Sequence, residues 1–374
     1  MFSMALRTFA CVLLLGLPLV GVLITAIPLE RYLQFPPLTQ YVEHAQFSWA
    51  FFVLCLGLIV SFMGLFIVWP ALRKPSSVAA EKIESPDGER KKTANLLICA
   101  GLLLGGVAWF VAWSRLPFLK NVQPFTFTPQ WLAYIIVVEG LTLRRSGRCM
   151  MLDETSMFLK LFAGSAFFWW FFEYLNRFVQ NWYYLGLEDF SPLEYFLYAT
   201  PAFATVLPAV LCTSRLLLSF NFFNSRYCGL PRFEFKKPKV LAFLMLFAAS
   251  ASLALIGVFP NMLFPMLWLS PLLLLSSLQI FAGRKTVFAG FREGDLRLFV
   301  SLVIAALICG FFWEMWNFHS LAKWIYSVPY VNVFHIFEMP VLGYAGYIPF
   351  GLECYCTAQF LLNYESRLTP VNNS

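Results

Sequence analysis

The chain has 374 residues and a formal net charge of +7; 60% of its residues are hydrophobic, 18% aromatic and only 13% charged, with a mean hydropathy of +0.70. That balance excludes an ordinary soluble globular domain, and its short basic loops are not expected to bind nucleic acid. Apolar runs of about 20 residues are long enough to cross a hydrocarbon core of roughly 30 Å as helices.

Taken in order, ten such stretches are predicted: residues 9–29, 47–72, 95–114, 129–143, 157–175, 193–213, 240–260, 263–282, 298–317 and 336–361. The first follows Arg7 and is expected to be retained rather than cleaved as a signal peptide. Between the second and third lies a polar stretch with Glu84-Ser85-Pro86-Asp87-Gly88 in its middle, which reads as a linker. The expected fold is therefore all-α: a polytopic transmembrane bundle of about ten spans, with an N-terminal hairpin (1–72), a polar linker (73–94) and two parallel four-span repeats (95–236 and 237–374). Lys and Arg gather in alternate loops, among them Arg144, Arg145, Arg148, Lys236, Lys237, Lys239, Arg284 and Lys285. Read as cytoplasmic, these loops place both termini inside, and none of the nine cysteines falls in a predicted outer loop, where a structural disulfide would form. An integral protein of the bacterial inner (plasma) membrane without disulfides is the expectation.

The duplication rests on two stretches. Residues 167–203 contain Glu173-Tyr174-Leu175-Asn176, then Trp182-Tyr183-Tyr184, then Pro192-Leu193-Glu194. Residues 311–350 contain Glu314-Met315-Trp316-Asn317, then Trp324-Ile325-Tyr326, then Glu338-Met339-Pro340. The first acids lie 141 residues apart and the second acids 144.

Each Glu and Asn three residues apart share one helix face. An acid inside an apolar helix end must face the bundle or water. Burial favours its neutral form, which general acid catalysis requires, and an amide one turn away can orient its carboxyl. Glu314 and Glu173 are thus candidate proton donor and acceptor, Asn317 and Asn176 their orienting partners, and Glu338 and Glu194 a supporting set. Glu353 lies fifteen residues past Glu338, about 22 Å deeper at 1.5 Å per residue, and with Trp313, Trp324, Tyr326, Trp182 and Tyr184 is a candidate for substrate binding. Aromatic faces suit a long apolar ligand and can stabilise a developing cation. Glu139 is expected to pair with the Arg144 loop. His44, His319 and His335 fall on the predicted outer side, with His319 and His335 able to meet, but neither a metal nor any cofactor is expected. No Walker loop, dinucleotide fingerprint or His-Glu-x-x-His is present.

The order of an acid, then Trp-x-Tyr, then Pro-x-Glu before an aromatic span resembles the duplicated membrane domain of the small, heterodimer-type lycopene cyclases of bacteria, archaea and fungi. Glu173 and Trp313-Glu314 stand where that family has Trp-Asp, and Pro192-Leu193-Glu194 matches its Pro-x-Glu-Glu, with Tyr195 in place of the second Glu. In the second stretch Glu338 precedes its proline. The resemblance implies redox-neutral cyclisation of a polyene by one acid and one base. The expected function is a membrane-embedded cyclase or isomerase acting on an isoprenoid or other long apolar lipid, without nucleic acid and with protein partners undefined. A proton- or cation-coupled transporter and a non-catalytic subunit of a membrane complex are the alternatives.

Overall fold

The computed structural model describes residues 2–36, 41–75, 86–187 and 190–365. Most of the expected linker and the last residues of the chain lie outside them. Helices fill the apolar stretches: α1 (Met4–Ile24), α2 (Trp49–Leu72), α3 (Gly88–Ser114), α4 (Phe127–Ser146), α5 (Thr155–Val179), α6 (Pro192–Leu218), α7 (Pro238–Leu255), α8 (Met266–Phe281), α9 (Arg297–Phe318) and α10 (Tyr347–Leu362). Local chemistry sets several starts. Ser3, Ser48 and Asp87 cap α1, α2 and α3 by accepting backbone N–H bonds, and Ser191 with Glu194 forms a capping box on α6. Gly147, in the left-handed region at φ 70°, ends α4.

Among the described residues six helices, α1, α2, α3, α6, α7 and α9, are long and apolar enough to cross a membrane, as an integral membrane protein requires. Burial sorts them. In the most apolar stretch of α6 and of α9, 61% of residues are buried; in α2 the share is 6%. So α6 and α9 are central, while α2 and its like present Leu, Val and Phe outward, surfaces that belong in lipid.

The packing comes in matched pairs. Helix α3 lies on α4 as α7 lies on α8. Helix α4 meets α6 as α8 meets α10, and α5 meets α10 as α9 meets α6. The N-terminal helices add to this bundle by different routes: α1 packs on α7 and α8, whereas Phe62 and Phe66 of α2 pack against Phe299 of α9. Small residues permit the close approaches. A Cβ on Gly101 would lie 3.0 Å from the Ala133 carbonyl oxygen, and one on Gly351 2.3 Å from that of Leu302. Gly351→Ala is therefore expected to cost about 1–3 kcal/mol, because backbone must move. Gly57→Ala, with nothing within 4 Å, is expected to stabilise by about 0.5–1 kcal/mol. Thermal unfolding of the two variants in detergent separates them.

The all-α expectation needs one amendment. The segments after α5 and α9 are not plain loops but strands, β1 (Trp182–Leu185) and β2 (Lys323–Tyr326), paired antiparallel with one another. A second small ladder joins β3 (His335–Ile336) to β4 (Met339–Pro340). All nine cysteines are free thiols.

Candidate functional site

The ends of α5 and α9 build the site. Asn176 donates from Nδ2 to the Trp182 carbonyl (2.8 Å) and accepts the Asn181 N–H on Oδ1 (2.9 Å). Asn317 donates from Nδ2 to the Trp324 carbonyl (2.7 Å) and accepts the Trp324 N–H (2.9 Å). Both asparagines thus grip the following strand. They orient the carboxyls only indirectly, by fixing the strand whose side chains do touch them, because a backbone amide pair offers an amide side chain both a donor and an acceptor.

The strand register turns this into one assembly. Trp182 faces Tyr326, Tyr183 faces Ile325 and Tyr184 faces Trp324. The Trp-x-Tyr motif of each stretch therefore pairs with the other, reversed, about the Tyr183–Ile325 pair. The Tyr184 hydroxyl donates to Glu173 Oε1 (2.5 Å), and the Tyr326 hydroxyl donates to Glu314 Oε1 (2.7 Å). Glu173 is 2% exposed and Glu314 is fully buried. Burial, then the neighbouring Glu173 carboxyl, pushes the Tyr184 phenol well above its ordinary range; burial and Glu314 do the same to Tyr326. Both phenols hold their protons at neutral pH and act as donors.

A cavity of about 110 Å³ sits against this ladder, room for far more than one water. Both stretches line it, with Trp169, Trp182 and Tyr184 from one and Trp313, Trp324 and Tyr326 from the other. Trp268, Tyr347 and Phe350 complete its aromatic wall. The glutamates stand behind this wall, reached through the hydroxyls. Trp182 stacks on Trp268 at 5.9 Å and 25°, and Trp313 on Tyr347 at 5.9 Å and 22°. Helix α6 breaks beside the cavity, between Phe203 and Val206, which both line it. Ser165 of α5 repairs the break by donating to the Phe203 carbonyl (2.6 Å) and accepting the Leu207 N–H (3.0 Å).

The remaining candidates are scattered. Glu194 is exposed and serves as the N3 residue of the α6 capping box. Glu338 lies in the turn between β3 and β4 and pairs with Lys323 (2.5 Å). Glu353 is fully buried on α10, one turn beyond Phe350, and neither carboxyl oxygen has a partner among the described residues. Neither Glu194, Glu338 nor Glu353 lines the cavity. Glu139 turns inward and accepts the Met151 N–H (2.7 Å) rather than pairing with Arg144. His319 packs on Trp113 and Phe318, whereas His335 bonds Asn332. His44 bonds Asn261 and the Gln180 carbonyl. Among the described residues no cluster of His, Cys, Asp and Glu could hold a metal ion. Trp169 is legible as the residue one turn before Glu173, whereas Trp268, Tyr347 and Phe350 carry no local signature and are brought to the site by the fold. Comparison with protein families, with characterised proteins and with solved structures finds no match.

Proposed function

We propose that this chain is a membrane-embedded acid–base enzyme of the cyclase or isomerase type, acting on an isoprenoid or other long apolar lipid. One observation carries the reading: an aromatic cavity is flanked by two buried glutamates, Glu314 and Glu173, each joined to it by a tyrosine hydroxyl. An apolar wall binds a hydrocarbon, and the faces of Trp182, Trp268 and Trp313 stabilise a carbocation better than water-exposed polar groups would, without capturing it. Glu314 supplies a proton to a double bond and Glu173 takes one away, so the substrate keeps its mass and oxidation state. The matched helix contacts and the reversed pairing of the two Trp-x-Tyr segments support two parallel four-span repeats within a ten-span bundle. On this reading both termini lie in the cytoplasm and the cavity opens near the outer leaflet.

Apolar lipids extracted from cells that make linear carotenoids, with and without the protein, test the proposal. A new product of unchanged mass and shifted absorption is expected. An unchanged profile with well-folded protein removes the carotenoid substrate.

A proton- or cation-coupled transporter draws on a different observation, the unpartnered Glu353 beside a bundle that contains a broken helix. Gradient-dependent flux in proteoliposomes, lost in Glu353→Gln, would favour it.

A further inference from the structure

The two acids are held by unlike donor sets, and the difference gives proton traffic a direction. Glu173 Oε1 accepts from the indoles of Trp169 and Trp182 (both 3.1 Å) as well as from Tyr184. An indole N–H only donates, so this oxygen is filled as an acceptor and suits a carboxylate. Arg177 stands four residues on, on the same helix face as Glu173.

Glu314 keeps a tyrosine donor, Tyr326, but lacks the counterparts of Trp169 and Arg177. Gly310 stands four residues before it where Trp169 precedes Glu173, and Phe318 stands four residues after it where Arg177 follows Glu173. The space above Gly310 is taken by the Tyr347 ring, which would lie 2.4 Å from a Cβ there. Tyr347 comes nine residues after Glu338, as Phe203 comes nine after Glu194. So a Trp–Phe pair in one stretch is exchanged for a Gly–Tyr pair in the other, and the exchange brings a phenol in place of an indole. The Tyr347 hydroxyl lies 2.7 Å from Glu314 Oε1. Trp324 Nε1 donates to the Tyr326 hydroxyl (2.8 Å), which is itself 2.7 Å from Glu314, and the same indole also bears on the acid. Tyr326 and Tyr347 thus both donate to Glu314 Oε1, and Tyr347 carries that contact to the cavity wall.

We infer that Tyr347 delivers the proton of Glu314 to the substrate and that Tyr184 passes the proton released by the substrate to Glu173. This rests on the acid–base reading above. In the first step the Tyr347 hydroxyl, turned toward the cavity, gives its proton to the CH carbon of a trisubstituted double bond, whose π pair forms the new C–H bond and leaves a tertiary cation on the neighbouring carbon, while the Glu314 proton moves to the Tyr347 oxygen. The cation on the neighbouring carbon is attacked by a second double bond. In the last step a C–H pair adjacent to the new cation becomes a π bond, its proton goes to the Tyr184 oxygen, and the Tyr184 proton goes to Glu173. No electron leaves the substrate. Exchange with water reprotonates Glu314 and deprotonates Glu173.

The test uses the full-length protein in liposomes in deuterium oxide, with squalene and an acyclic carotene as separate probes, reading substrate loss, deuterium uptake and product identity. Tyr347→Phe is expected to lose substrate consumption and deuterium uptake together, by about 10²–10⁴-fold. Tyr184→Phe is expected to keep taking up deuterium but to release a broadened mixture of double-bond isomers or hydroxylated products. Wild-type turnover in Tyr347→Phe overturns the inference, as does a wild-type single product from Tyr184→Phe. If the wild type itself neither consumes a probe nor takes up deuterium, the acid–base reading fails and the inference falls with it. Gly310→Ala, which displaces the Tyr347 ring and leaves its hydroxyl chemistry intact, is expected to reproduce the Tyr347→Phe pattern.

Discussion

Replacing Glu314 by Gln is expected to lower conversion by about 10²–10⁴-fold, the usual weight of a general acid, without unfolding the protein. The amide is nearly isosteric with the acid. Its Oε1 still accepts from Tyr326 and Tyr347, so the bonds that position the cavity wall survive. What disappears is the transferable proton. The second oxygen of Glu314 is buried without a partner among the described residues, so an NH₂ in its place adds an unmet donor, at about 1–3 kcal/mol, a cost below that of global unfolding. Conversion and the thermal midpoint in detergent should be measured on the same preparation. Full turnover by Glu314→Gln at an unchanged midpoint would remove Glu314 from the mechanism. A collapsed midpoint would instead mark it as a structural acid.

How much of this was legible beforehand follows from the range of the interactions. The helices were, because apolar runs of this length report on their own solvent. The two acid–asparagine pairs were, because three-residue spacing fixes a shared face within one helix. The function of the asparagines was less so: on a helix face each could reach the carboxyl, but the backbone of the next strand offers it two complementary bonds. The pairing of β1 with β2 joins segments separated by most of a repeat, and four-residue strands without alternating polarity carry no signal of their own. Glu194 had the same Pro-x-Glu context as a site residue would, yet Ser191 three residues before it is the capping-box signature, and the cap is what forms. Tyr347 was hidden for a different reason. Its role exists only because Gly310 leaves room, and that compensation links two helices.

Asn317→Ala is expected to damage the site from behind, with both acids untouched. The substitution strips the Trp324 N–H and carbonyl of their partners in a buried setting, at about 1–3 kcal/mol for each group left unmet. The larger consequence is positional. Trp324 and Tyr326 ride on β2, and both belong to the hydrogen-bond chain that ends at Glu314. Loosened by even a fraction of an ångström, that chain no longer holds the hydroxyl against the carboxyl, so conversion should fall more than stability alone explains. Asn176→Ala should do the same through β1. Because β1 and β2 pair only with each other among the described residues, the double variant is expected to be non-additive, with a coupling of about 0.5–3 kcal/mol in denaturant unfolding. Strict additivity would mean that the two clamps hold independent loops, and the ladder would then not be the element that joins the two halves of the site.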